Sequence, residues 1–320
     1  MKLNLKDRRI LYELDKYSRI PYSKIAKIVG LSQETVRYRV KNLLILGVIK
    51  KFLTMVDTAR LGFAYHKVLL RLHNVDESKI NEIIGYLKEN KLIVWVVTTD
   101  GDYDIGFVAK VTNILELNNI LEDLKRRYNE FLNKKTISVN VTGEYLTRDY
   151  LIDKSRKAKT EVSYTVDYKP YDLDKIDIGI MQFLAENSRV SAIEIGKNLN
   201  ISPDSVLKRL KRLEKDRIIT RNTIVLDHEL LNQIHYKVLV QLNNVPVDKI
   251  ASFIDYCRTI TRVVYIIKSL GEWDYELDLE VESVQQFREL MRDLTKKYSD
   301  IIEDYNALII NKIHKYNVFP

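Results

Sequence analysis

The feature that most constrains the fold is an internal repeat. Displaced by 170 residues, the 320-residue chain registers on itself without a gap. Asp7 then meets Asp177, Leu14 meets Leu184, and Ser18-Arg19 meets Ser188-Arg189. Ser32, Val36, Arg39 and Leu43 fall on Ser202, Val206, Arg209 and Leu213. Lys67-Val68-Leu69 falls on Lys237-Val238-Leu239, Gly101 on Gly271 and Tyr128 on Tyr298. Unrelated segments do not sustain such agreement, so one structural unit occurs twice. The chain divides at residues 1–60, 61–146, 147–171, 172–230 and 231–320. The middle segment, Thr147 to Tyr171, is rich in Lys, Asp, Ser and Tyr and poor in Leu, and reads as a linker with a short helix at its start. Extended, it spans about 80 Å, so its length leaves the placement of the two modules open.

Each module opens with three helical segments. Leu5, Ile10, Leu11 and Leu14 form an apolar stripe at helical spacing. Tyr22 to Val29 carries a second helix with Ile25, Ile28 and Val29 inward, and Gly30 supplies a turn. Ser32 caps a third helix reaching about Leu46, with Val36, Val40 and Leu43 on its core face. The second copy has Asn200 at the turn, Ser202 as cap and Pro203 at the first helical position, where its missing N–H costs nothing. A short helix, a tight turn and a second helix describe a helix-turn-helix. The β-prone stretches that follow, Val48–Leu53 and Ile218–Arg221, suit a wing or a linking hairpin.

The rest of each module reads β-α-β-β-α-β, the ferredoxin-like order. In the first copy the strands are Lys67–Leu72, Leu92–Thr98, Tyr103–Lys110 and Ile137–Val141, with helices near Glu77–Glu89 and Asn113–Tyr128. In the second the strands are Lys237–Leu242, Arg262–Lys268, Trp273–Val281 and Ala307–Ile310. The runs Ile93–Val97 and Val263–Ile267 are apolar on both faces. Helices of this topology cover one face, so a second sheet is expected on the other. That makes this the oligomerisation domain, pairing by sheet–sheet packing within a chain or between chains. The fold class is α+β: a tandem repeat of a winged helix-turn-helix domain and a ferredoxin-like domain.

Charge singles out the first domain. The net charge is +8, and residues 1–60 alone hold 14 Lys/Arg against 5 Asp/Glu. Such a domain attracts a polyanion, and double-stranded DNA is the partner a helix-turn-helix offers. The outward face of the third helix is the candidate reader. In copy one the candidates are Ser32, Gln33, Thr35, Arg37, Tyr38, Arg39 and Lys41, with Glu34 among them. In copy two they are Ser202, Ser205, Lys208, Arg209, Lys211 and Arg212, beside Pro203 and Asp204. Gln and Arg suit adenine and guanine edges, while Ser, Thr and Lys more often hold phosphates. Asp204 repels phosphate, so the N-terminal reader should carry more of the affinity.

Taken in order, these residues resemble the Lrp/AsnC (leucine-responsive, feast/famine) family of transcription regulators. The pattern is Ser32, Val36, Arg39, Val40, Leu43, Gly47, Val48 and Ile49 in copy one. Copy two keeps Ser202, Val206, Arg209, Leu210, Leu213, Ile218 and Ile219, with Arg217 replacing the glycine. The family's Gly-Asp-Tyr/Phe-Asp turn is present as Gly101-Asp102-Tyr103-Asp104 and as Gly271-Glu272-Trp273-Asp274. The resemblance implies regulation of promoters by dimers or larger homo-oligomers, under an amino acid or similar small effector. Those eight turn residues are the effector-binding candidates it suggests, although Asp100-Gly101 is also a tight-hairpin signal by itself. Most members carry one module, so this chain resembles a covalent pseudo-dimer able to read an asymmetric site.

Enzymatic readings find little support in the sequence. Sirohaem decarboxylases share the architecture but carry histidine and arginine where the second strand meets its turn. Here that region is Trp95–Asp100, without either; copy two has Arg262 and Lys268 but no histidine there. His66, His73, His228, His235 and His314 share no metal-ligand spacing, and Cys257 stands alone, so neither disulfide nor cysteine-rich zinc site is expected. We expect no enzyme activity, no metal and no cofactor. An assembly protein without DNA binding is a further alternative, disfavoured by the basic first domain. No apolar run reaches the roughly 18 residues of a membrane helix, and a cytoplasmic location with no membrane partner is expected.

Overall fold

The computed structural model describes residues 3–159, 162–165 and 171–319. The first module contains α1 (Leu5–Lys16), α2 (Tyr22–Val29), α3 (Gln33–Ile45), β1 (Ile49–Val56), β2 (Ala64–Leu72), α4 (Glu77–Glu89), β3 (Ile93–Asp100), β4 (Ile105–Val111), α5 (Ile114–Tyr128) and β5 (Leu132–Tyr145). A 3-10 turn (Asp149–Ile152) and a short strand β6 (Val162–Thr165) follow. The second module contains α6 (Lys175–Glu186), α7 (Ala192–Leu199), α8 (Pro203–Lys215), β7 (Ile219–Leu226), β8 (Ile234–Leu242), α9 (Val247–Thr259), β9 (Val263–Leu270), β10 (Tyr275–Val281), α10 (Val284–Lys297) and β11 (Ile302–Tyr316). The expected linker begins with the 3-10 turn, and its residues 160–161 and 166–170 lie outside the described residues.

The tandem α+β repeat is therefore present, but the modules interlock in two places. The β-prone stretches after the third helices do not fold into separate wing hairpins. Instead β1 pairs antiparallel with β7, bringing Phe52 opposite Ile224 and Thr54 opposite Asn222. Each strand also lends side chains to the other module. Ile224 and Leu226 pack into the core of the first helical domain, while Leu53, Met55 and Val56 pack into that of the second. Burial of each such side chain contributes roughly 1.5–3 kcal/mol, so neither helical domain is complete alone. Two positions on the expected apolar stripes are exposed, Leu5 at 55% and Ile28 at 52%. Leu5 begins its helix, and Ile28 lies on the outer side of α2.

The second interlock is a closed barrel. The strand order is β2-β4-β3-β11-β8-β10-β9-β5, and β5 pairs back onto β2. Closure depends on β5 and β11, which extend well beyond Ile137–Val141 and Ala307–Ile310. The first half of β5 pairs with β2 of its own module, and its second half, Val139–Tyr145, pairs with β9 of the other. Likewise β11 pairs first with β8 and then, through Ile309–Tyr316, with β3. Their polar ends hide this role in the sequence. Closure removes the sheet edges that would otherwise recruit further strands. Side chains alternate across each strand: Val68 and Leu70 face helices α4 and α5, while Tyr65, Lys67 and Leu69 belong to the inner side. The sheet–sheet packing expected of an oligomer is thus met inside one chain.

Candidate nucleic-acid interface

Each reading helix is set by its turn and cap. Gly30 (φ +64°) and Asn200 (φ +54°) take the left-handed conformation that ends α2 and α7. The hydroxyl of Ser32 then accepts from the Thr35 amide at 3.1 Å, and that of Ser202 from the Ser205 amide at 3.2 Å. Val36, Val40 and Leu43 anchor α3, as Val206, Leu210 and Leu213 anchor α8. Ser32, Gln33, Glu34, Arg37, Tyr38 and Lys41 lie exposed, with Thr35 half-buried.

Not every candidate basic side chain remains free. Arg39 Nη1 donates to Asp7 at 2.8 Å, tying α3 to α1. Its repeat counterpart Arg209 donates to Asp177 at 2.8 Å and Asp174 at 2.6 Å, and Arg212 reaches the same Asp177 at 2.5 Å. These contacts orient the helices from behind. On α8 the exposed Lys208 and Lys211 remain, with Ser202, Pro203, Asp204 and Leu207. The two faces differ position by position: Gln33 and Glu34 stand where α8 has Pro203 and Asp204, and Arg37 stands where it has Leu207. One face carries hydrogen-bonding side chains; the other offers apolar surface flanked by lysines.

The two helical domains meet across a pseudo-two-fold axis. The amide of Ser18 donates to Asn222 O (2.9 Å), and that of Ser188 to Phe52 O (3.1 Å). Arg19 donates to the carbonyls of Ser188 and Val190, and Arg189 to those of Ser18 and Ile20. These are the same contacts written 170 residues apart.

Below this junction lies a charged network that the sequence reading missed. Arg148, from the expected linker, donates to Asp15 of α1 at 2.5 Å and forms a bidentate pair with Glu280 of β10. The Asp15 carboxylate also accepts from Tyr145 (3.0 Å) and the Arg148 amide (3.0 Å). Deeper in the barrel, Lys67 and Lys237 share Glu276, and Lys237 also donates to Asp278 at 2.5 Å. Burial pulls the Lys67 ammonium down to about 8 despite Glu276, whereas Asp278 and Glu276 overcome burial and hold Lys237 above its ordinary range. The available signal was Glu276-x-Asp278-x-Glu280, three acids at strand spacing on a face otherwise suited to a core. Arg148 had no signal, since it sits in a polar segment.

The effector candidates fall where the modules join. Gly101 O accepts from Arg71 at 2.6 Å, and Asp102 accepts from Asn306 of β11. Gly101 (φ +127°) packs against the Ala307 carbonyl, so a side chain there would be strained and crowded. Tyr103 and Trp273 are buried together with Leu69, Leu239 and Leu308. Tyr103 pairs with Thr136 at 2.8 Å, and Trp273 donates to Glu276 at 3.1 Å. Asp104 and Asp274 accept from the Leu72 and Leu242 amides at 2.6 and 2.8 Å. Gly271 lies against Ile137 O, and exposed Glu272 meets Lys134 at 3.3 Å. Among the described residues no His, Cys, Asp and Glu group is arranged to hold a metal, and no helix is long and apolar enough to cross a membrane.

A capped third helix on either side of an axis, joined to paired ferredoxin-like domains, defines a tandem helix-turn-helix protein. Comparison with known proteins agrees. Residues 3–44 match the AsnC-type helix-turn-helix domain and residues 173–220 a winged helix-turn-helix DNA-binding domain. The HTH-type transcriptional regulator FL11 of Pyrococcus furiosus is 37% identical over 116 residues, 36% of this chain and 76% of that protein. LrpC of Bacillus subtilis is 27% identical over 146 residues, 45% of this chain and 96% of that protein. The chain belongs to the Lrp/AsnC family of transcription regulators. Both modules together are similar in fold to the sirohaem decarboxylase NirDL: TM-score 0.62 at 15% identity, covering 98% of this chain and 93% of that one.

Proposed function

We propose that one chain is a complete, oriented DNA-reading unit that recognises two unlike half-sites. The observation that carries this reading is the fixed junction of the two helical domains across the Ser18–Ser188 axis, with different residues on the outward faces of α3 and α8. A homodimer presents identical readers and selects a palindrome; here Gln33 and Arg37 face one half-site, and Leu207, Lys208 and Lys211 the other. The N-terminal reader carries more affinity, because the charge excess lies in residues 1–60. Regulation by a small effector and further homo-oligomerisation belong to the same reading, although the barrel itself needs no second chain. Selection of bound fragments from random duplex DNA tests it: a non-palindromic consensus is expected, and recovery of inverted repeats alone contradicts it.

The same reading takes the protein not to be an enzyme. The region Trp95–Asp100 holds neither the histidine nor the arginine that sirohaem decarboxylases carry where the second strand meets its turn, and the second copy has no histidine there. The likeness to NirDL is then one of fold. Purified protein should leave the sirohaem spectrum and side chains unchanged; decarboxylated product would overturn this.

A further inference from the structure

The closed barrel is not filled. Between its inner wall and the β1–β7 ribbon lies the cavity of about 110 Å³. A dry cavity of about 150 Å³ holds benzene, so a guest here is no larger than a single ring. Its walls are rings and apolar side chains: Tyr65, Trp95, Tyr164 and Tyr265 line it together with Val94 and Val108. Trp95 is contributed by the first module and Tyr265 occupies the same repeat position in the second.

Within this wall, several buried polar atoms lack partners among the described residues. Asn140 Oδ1 and the Tyr164 hydroxyl are 3% and 5% exposed by residue, lie near one another, and do not meet with hydrogen-bond geometry. Among the described residues His235 Nδ1 has no partner, and its Nε2 stands 3.4 Å from Asp278 without good alignment. Leaving such groups dry costs free energy that a suitable guest recovers. The charges around the cavity, by contrast, are matched: Lys67 and Lys237 by Glu276 and Asp278, Arg148 by Asp15 and Glu280. A charged guest would bring an unmatched charge into this interior. A neutral guest would not.

We propose that the barrel cavity is a binding site for an uncharged, planar, single-ring molecule bearing both hydrogen-bond donors and acceptors, of which a pyrimidine base is the simplest example. The ring lies among the aromatic walls, and its edge satisfies Asn140, Tyr164 and His235. The site is wired to the DNA-binding domain, a coupling that rests on the function proposed above. Arg148 and Tyr145 line the same cavity, and both hold Asp15 of α1. A guest touching either biases the position of α1, and the effect is reciprocal: DNA changes guest affinity by the same factor.

Calorimetry on the full chain without DNA tests the site with uracil as probe, benzene as apolar control and benzoate as charged control. Saturable uracil binding, one per chain and at least about tenfold tighter than either control, is expected. Asn140→Leu and Tyr164→Phe should each weaken it about tenfold. Val108→Phe, which fills the cavity, should abolish binding while the protein still melts cooperatively. No uracil binding at millimolar concentration, equal binding of benzene, or indifference to Asn140→Leu would overturn the proposal. Uracil should also shift DNA affinity about fivefold or more. An absence of DNA binding would count against the proposed function and leave the calorimetric result standing.

Discussion

The hydroxyls of Ser18 and Ser188 meet at 2.6 Å, both fully buried, on the axis that relates the two halves of the chain. Equivalent positions of a repeat touch only where a symmetry axis passes, so this contact marks the internal dyad. Removing one hydroxyl leaves the other buried without this partner, at a cost of about 1–3 kcal/mol. Ser18→Ala and Ser188→Ala should each lower stability by that order, and the double variant should lose less than the sum. Denaturant midpoints of the three variants check this; strict additivity would mean that the hydroxyls do not depend on one another.

The readers are predicted to be unequal. Charge reversal at Arg37 and Lys41 should weaken DNA binding about tenfold more than reversal at Lys208 and Lys211, and flatten the salt dependence more. Titrations of both double variants at several salt concentrations decide the order. Equal losses would place the two helices on an equal footing.

Arg148 joins α1 to β10 through Asp15 and Glu280, with all three side chains buried. Arg148→Met leaves Glu280 without its cation and Asp15 with only the more distant Arg221, at 3.8 Å, and breaking a buried network in this way costs about 3–5 kcal/mol. Adding Asp15→Asn and Glu280→Gln should restore part of that loss. A melting temperature unchanged by Arg148→Met would contradict the network's structural role.

His228 gives the fold an acid-sensitive element. Burial, opposed by Glu280 but reinforced by His235 and Arg148, holds its pKa near 4, against 6.5 for an exposed imidazole. Between those values the unfolded chain binds more protons than the folded one, so stability falls as pH drops from 6.5 toward 4. The full effect is up to about 3 kcal/mol. Denaturation of wild type and His228→Gln at pH 7 and pH 4.5 isolates it: the variant should lose less. Parallel losses would assign acid sensitivity elsewhere, as to the depressed carboxyls of Asp278 and Glu280.

Local elements were legible in the sequence because they obey local rules. The caps Ser32 and Ser202, the turns at Gly30 and Asn200 and the helix Glu77–Glu89 follow from short-range chemistry, and α4 takes the expected bounds. The pairing of β1 with β7 and the crossing of β5 and β11 did not show, because they depend on partners between 120 and 221 residues away. Nor did the buried charges. Lys67 inside an apolar strand reads as a surface lysine until the acids of β10, some 210 residues on, are placed opposite. The repeat itself could have suggested both, since each half lacks what the other supplies.

Affinity cleavage decides whether one chain, in one orientation, occupies each asymmetric site. Cys257 is buried, so a DNA-cleaving label attached to Ile45→Cys, at the exposed end of α3, reports where that helix lies. Lys215→Cys does the same for α8. Each label should cut the selected site at one end only, and the two should cut opposite ends. Cleavage at both ends by either label would mean that chains bind in two orientations or as symmetric pairs, and would contradict binding in one orientation.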